Sequence, residues 1–154
     1  MEPARAAEPS DLPVLVELAR ALRAEMTSQR GGVLWSTREA RPEPLDDTLA
    51  SLLGRDDAQI VVGTIDGTIV GFGTVEIETL RDGARLGVIG DLFVEREARA
   101  VGVGESIADL IVAFCAAARC VGIDAFALPG ARDAKNFFER SGFTARALVM
   151  HHKL

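Results

Sequence analysis

The sequence predicts an α+β chain in three layers, with a central mixed, largely antiparallel sheet flanked by helices. Three observations carry that expectation. Apolar residues recur at helical spacing from Leu12 to Leu22 and switch to period two after Ala58. Asp66-Gly67 sits between two apolar runs, a strong hairpin signal because both positions must tolerate positive φ. Three strand-like runs then follow one another without a helix between them, which excludes a simple βαβ dinucleotide fold.

Each element follows in order. "ARAAEP" reads as a short first strand. "SDLPVLVELARALRAEM" reads as a helix capped by Ser10 or Asp11, with Pro13 in the first turn and Leu12, Leu15, Val16, Ala19 and Leu22 on one face. "TSQRGGVLWSTREARPEP" is polar and carries Gly and Pro. It is long for a loop, which points to function or mobility. "LDDTLASLL" is a second short helix, ended by Gly54. "AQIVVGTI", "TIVGFGTVEIETL" and "ARLGVIGDLFVE" are the three antiparallel strands. Val103, Ile107, Leu110, Ile111 and Phe114 mark a long helix. "GIDAFALP" is a strand, "RDAKNFFERSGF" a helix closed by Gly142, and "TARALVMHHKL" a last strand.

At 154 residues the chain fits one domain over 1–154, and its 48% hydrophobic content suits a folded core. The net charge of −6 argues against a nucleic-acid binder. It is compatible with a cationic partner, although solubility alone accounts for it. Cys115 and Cys120 have the spacing of neither a disulfide framework nor a zinc site, and no metal is expected. "MEPARAAEPS" lacks the apolar core of a signal peptide, and no membrane-length apolar run occurs. The expected location is cytoplasmic, with no membrane partner.

The stretch "RAVGVGES" sits between a strand and a helix. It lacks the Gly-Lys-Ser/Thr end of a P-loop and the third glycine of a dinucleotide fingerprint. Two readings stay open: a turn that uses glycine only for its φ angles, or a phosphate cradle made of unpaired N–H groups at a helix N-terminus. Arg99 then either adds charge or orders the loop. Arg99-x-x-Gly102-x-Gly104, after "DLFVE" and before an apolar helix, resembles the acetyl-CoA-binding motif of the GNAT superfamily of N-acetyltransferases. "AKNFFERSGF" resembles a second motif of that family through Ala134, Phe137, Phe138, Glu139, Gly142 and Phe143. The order of elements matches too, so the resemblance spans nearly the whole chain. Two positions depart from it: Ala131 stands where the family often has Asn, and Phe138 where it often has Tyr. The chain has no tyrosine at all.

The resemblance implies acetyl transfer to a primary amine by direct attack, with acetyl-CoA as co-substrate and no metal. It implies that Leu92, Phe93 and Val94 offer backbone groups to the acyl carbonyl and the pantetheine arm. Arg99, Ala100, Val101, Gly102, Val103, Gly104, Glu105 and Ser106 then hold the pyrophosphate, and Phe137 and Phe138 line the pantetheine side. Side-chain identity is expected to matter little at Val101 and Val103. An amine nucleophile must lose a proton. Asp91 is the first candidate base, with Glu76 and Glu78 behind it, and each has a plain reading as a solvated carboxylate.

His151 and His152 are adjacent on the expected last strand, so they point to opposite faces and make no joint metal site. Trp35 reads as an acceptor lid or a core anchor. Glu25 reads as an acceptor contact or a solvated helix end. The acceptor is expected to be a small-molecule or protein amine, and a homodimer is compatible with the resemblance. The alternative function is an acyl-CoA-binding regulatory or sensor domain with little turnover, which Phe138 and Ala131 keep in play.

Overall fold

A computed structural model describes residues 3–154. The elements are β1 (Ala4–Ala6), α1 (Leu12–Thr27), α2 (Gly32–Arg38), α3 (Leu45–Ala50), β2 (Ala58–Ile65), β3 (Thr68–Thr79), β4 (Arg85–Val94), α4 (Val103–Ala117), β5 (Gly122–Asp124) and α5 (Arg132–Arg140). They form one five-stranded sheet in the order β1-β2-β3-β4-β5. The first three pairings are antiparallel, and β4 pairs with β5 in parallel. The sheet is therefore mixed and largely antiparallel, as expected.

Strand alternation sends side chains to two separate cores. On one face Ile60, Val62, Phe72 and Phe93 pack with Leu15, Leu18 and Leu22 of α1 and Leu45 and Leu49 of α3. On the other, Val61, Val75, Ile89 and Val94 pack with Val103, Ile107, Ile111 and Cys115 of α4. Those four α4 residues are spaced by four and form one ridge along the helix. The ridge rests on glycines of three strands. A Cβ on Gly63 would lie 2.4 Å from Val103, one on Gly73 2.8 Å from Ile107, and one on Gly87 2.5 Å from the Cys115 sulfur. The missing side chains let α4 sit close against the sheet.

Four expectations need correction. Asp11 does not cap α1 with its side chain. Its carboxylate accepts from the Glu8 amide at 2.8 Å and pairs with Arg5 at 2.8 Å, which holds its pKa below the usual carboxylate value. The long polar stretch after α1 contains the helix α2, because Trp35 is buried and anchors it. The strand expected over "GIDAFALP" keeps ladder bonds only through Asp124 and then leaves the sheet. "TARALVMHHKL" forms no strand: residues 144–154 carry no regular secondary structure and are exposed, His151 and His152 included. Arg146 of this segment pairs with Asp124 of β5 and holds that carboxyl below its usual pKa.

Candidate functional site

The site begins where β4 parts from β5. Only Leu86, Gly87 and Val88 pair with β5. Beyond Asp124 the chain turns toward the end of α1, where Leu128 approaches Gly31 and Gly130 approaches Arg30. The outer edge of β4 from Ile89 to Val94 is thus left without a strand partner among the described residues. Within β4, Thr74 lies opposite Asp91 while Val75 lies opposite Ile89, so Gly90 is an extra residue, a β-bulge. The bulge bends the strand at the point of divergence. A Cβ at Gly90 would come within 3.0 Å of Thr74 Oγ1 and 3.2 Å of Arg41, so glycine makes room for the group beside it.

That group is a buried polar network. Arg41, from the segment between α2 and α3, donates to Asp91 Oδ2 from Nε at 2.9 Å and from Nη2 at 2.5 Å. Thr74 donates its hydroxyl to the same oxygen at 2.7 Å and accepts from Arg41 Nη2 at 3.1 Å. Asp91 is only 6% exposed. A charge that deep needs such partners. Oδ1 accepts no hydrogen bond among the described residues. Arg23 of α1 donates to the carbonyls of Ser36 and Arg41, fixing the segment that carries the guanidinium.

After β4 the chain makes one 3₁₀ turn at Arg96–Ala98 and enters α4. Arg99 donates from Nε to the Val94 carbonyl at 2.7 Å and stacks 5.4 Å above the Phe93 ring. Its Nη2 binds both oxygens of Glu25, at 2.9 and 3.0 Å, and Arg96 binds the same carboxylate. These contacts tie the loop before α4 to the end of α1 through Arg99. A pocket of about 260 Å³ lies beside this turn, with Val14, Leu18 and Phe93 below and Glu17, Glu25, Glu95 and Arg99 around it.

The two glycines of the turn differ. Gly102 precedes α4 with φ of +85° and nothing near its would-be Cβ, so its role is conformational. No side chain caps the first N–H groups of α4. Gly104 faces inward, where a Cβ would lie 3.1 Å from the Phe137 ring, so it serves the contact between α4 and α5. Side-chain identity was expected to matter little at Val101 and Val103; Val101 is exposed, but Val103 is 2% exposed and part of the core, so its identity matters. Ala100 is exposed, Glu105 faces Arg140 at 3.8 Å, and Ser106 donates its hydroxyl back to the Gly102 carbonyl. Leu92 points to the α4 face beside Gly73. Phe138 packs edgewise on Phe137 and against Phe143, next to the α4 core.

The other two carboxylates lie further along β3. Glu76 and Glu78 share the Thr74 face by alternation, opposite Val88 and Leu86, where β4 is still paired with β5. Glu76 is held by Arg55 at 2.9 Å and Glu78 is exposed. Sequence reasoning missed Arg41 and Thr74. Arg41 sits among other charged residues with no pattern to single it out; the one available signal was Gly90 beside Asp91, a small residue next to a carboxylate in an apolar strand.

An unpaired strand edge beside an uncapped helix N-terminus can receive an extended molecule that ends in an anion. The family comparison agrees with this arrangement. A model of the acetyltransferase (GNAT) family matches residues 18–143. A tetramutant of the BH1408 protein of Bacillus halodurans has a similar structure, with TM-score 0.83, 18% identity, and 98% and 99% of the two chains covered. Glucosamine-6-phosphate N-acetyltransferase from Arabidopsis thaliana aligns with TM-score 0.69 and 21% identity over 97% and 96%. An aminoglycoside acetyltransferase from an uncultured soil metagenomic sample aligns with TM-score 0.71 and 20% identity over 98% and 93%. A search among curated proteins finds no match. With the family model matching from within α1 to just past α5, this chain belongs to the acetyltransferase (GNAT) family.

Proposed function

We propose that the protein transfers an acetyl group from acetyl-CoA to a primary amine by direct attack. The observation that carries this reading is the β4 edge left unpaired beyond Val88, bulged at Gly90 and followed by α4, whose N-cap Gly102 offers no side-chain cap. The fit to the co-substrate rests on that pair of features: an edge that can hydrogen-bond a pantetheine arm and a helix end with open space at Gly102. Leu92, Phe93 and Val94 would bind the arm, and the Val101–Gly104 backbone would bind the pyrophosphate. Acetyl-CoA supplies the activated acyl group. The protein's part is to orient the amine and the carbonyl and to stabilise the oxyanion by a backbone N–H of β4.

Asp91 remains the first candidate for the amine proton. Its Oδ2 is committed to Arg41 and Thr74, which leaves Oδ1 to accept. Glu76 and Glu78 stand further from the divergence and would act only through water. A cationic acceptor suits the net charge of −6 and the pocket carboxylates Glu17, Glu95 and Glu97, Glu25 being held by Arg96 and Arg99. A homodimer and a cytoplasmic location fit this reading. Among the described residues no helix is long and apolar enough to cross a membrane, and no His/Cys/Asp/Glu group could hold a metal ion.

The test is release of free thiol from acetyl-CoA with a panel of primary amines. Amine-dependent release supports transfer. Tight CoA binding without release supports the second reading, an acyl-CoA-binding sensor domain. Phe138, which has no proton to give a departing thiolate, is the observation that favours it.

A further inference from the structure

The C-terminal end of α4 brings two cysteines together. The Cys120 amide donates to the Cys115 carbonyl at 3.0 Å, the Arg119 amide donates to the Ala116 carbonyl at 3.0 Å, and Arg119 takes φ of 59°. This is the Schellman arrangement, in which the side chains of the two residues joined by the longer-range bond meet. Here both are cysteine. Cys115 is buried, its sulfur against Gly87, and Cys120 is half-buried where the chain leaves the helix. Burial, with Cys120 close by, pushes the Cys115 thiol up to about 11. Cys120 is therefore the thiol that an oxidant in solution meets first.

We propose that Cys115 and Cys120 are a reversible thiol–disulfide pair that closes on exposure to a peroxide-class oxidant. The Cys120 sulfur attacks a peroxide oxygen, breaking the O–O bond and giving a sulfenic acid and one water. The Cys115 sulfur then loses its proton and attacks the sulfenic sulfur. The hydroxide displaced takes up that proton and leaves as a second water. Two thiols have lost two hydrogens and two electrons, and the peroxide has gained them. A dithiol reductant reverses the step by exchange.

Closure has a structural consequence. It draws the Cys115 sulfur, which packs against Gly87, into a covalent bond with Cys120. Gly87 lies opposite Ile123, in the short stretch where β4 and β5 are paired. Oxidation therefore loosens the closed end of the strand divergence.

The experiment treats the full chain with hydrogen peroxide, blocks free thiols with N-ethylmaleimide, and maps peptides without reduction. Trypsin cuts after Arg119, between the two cysteines, so the bond joins peptide 100–119 to peptide 120–132. The expected result is that joined peptide from a monomer, lost on addition of dithiothreitol and absent from Cys120→Ser and Cys115→Ala. Amide exchange at residues 86–88 and 122–124 is expected to quicken in the oxidised form. Overoxidised Cys120, or chains linked to one another with no joined peptide, overturns the pair. A joined peptide with unchanged exchange overturns its coupling to the sheet.

Discussion

Arg41 and Asp91 lie fifty residues apart in sequence and meet through two hydrogen bonds to one carboxylate oxygen, the shorter 2.5 Å. The pair ties the segment between α2 and α3 to the bulged strand. Removing one partner from a buried pair leaves the other uncompensated, at a cost of about 3–5 kcal/mol. Arg41→Ala should lose stability on that scale by urea unfolding, and Arg41→Lys should recover only part of it, because an ammonium cannot reproduce the forked contact. A loss under about 1 kcal/mol for Arg41→Ala would show that the pair carries little of the fold.

Asp91→Asn should itself cost stability, because Arg41 loses its counter-charge, so its turnover is read per folded, CoA-binding protein. The amide keeps the shape and loses the charge. If Asp91 takes the amine proton, turnover should fall by about 10²–10⁴-fold while CoA affinity holds. Unchanged turnover in a folded Asp91→Asn would leave Asp91 as the anchor of Arg41 alone.

Gly102 and Gly104 should respond differently. At Gly102 any side chain meets a left-handed φ, with strain of about 1–2 kcal/mol, so Gly102→Val should weaken CoA binding by distorting the turn while the core survives. At Gly104 a valine would press on Phe137, so Gly104→Val should both weaken binding and lower the melting temperature. Calorimetry beside thermal melts checks both. Full CoA affinity in the two variants would remove the cradle from this turn.

Under the proposed function Phe138→Tyr should keep or raise turnover, since it adds a phenol proton donor at that position. Phe138→Ala should act on stability. The ring is half-buried against Phe143, so a loss of about 2 kcal/mol is expected, below the ~3–5 of a fully buried phenylalanine. A folded, CoA-binding Phe138→Tyr with no activity would give the apolar ring a direct role toward the acceptor.

Acid should weaken the fold through Asp11. Its pKa is lowered in the folded state, chiefly by the hydrogen bond from Arg5. The folded chain thus binds fewer protons there than the unfolded one. The stabilisation is complete above the unfolded value of about 3.9 and is lost as pH falls through the folded value. Melting temperatures measured downward from about pH 6 should fall less steeply for Asp11→Asn than for the unsubstituted chain. Parallel curves would assign the acid sensitivity elsewhere, with Asp124 beside Arg146 the next group to test.

Much of this was legible in the residues. The hairpin at Asp66-Gly67 and the three antiparallel strands follow from local pattern, and so does the ridge of α4. What escaped were features fixed by distant partners. The helix α2 depends on Trp35 finding the core, and polar neighbours hid it. The segment after Phe143 has strand composition, but a strand exists only where a neighbour offers its edge. Asp91 was legible as a candidate base; the cation beside it was not, because fifty residues separate the two. Gly104 was read from a motif alone, and the ring of α5 packed beside it lies too far along the chain to be seen from that motif.

The row of Gly63, Gly73 and Gly87 beneath α4 sets a position as well as a packing distance. Side chains of one helical ridge drop into vacancies on three different strands, so sliding the helix along its axis by one residue would seat none of them. The end of α4 that follows Gly102 is therefore indexed to the sheet from below. Filling the middle vacancy, as Gly73→Ala would, should move the far end of the helix without touching it, and a substitution under the sheet's centre becomes a way to retune the spacing between the bulge at Gly90 and the first free amides of α4.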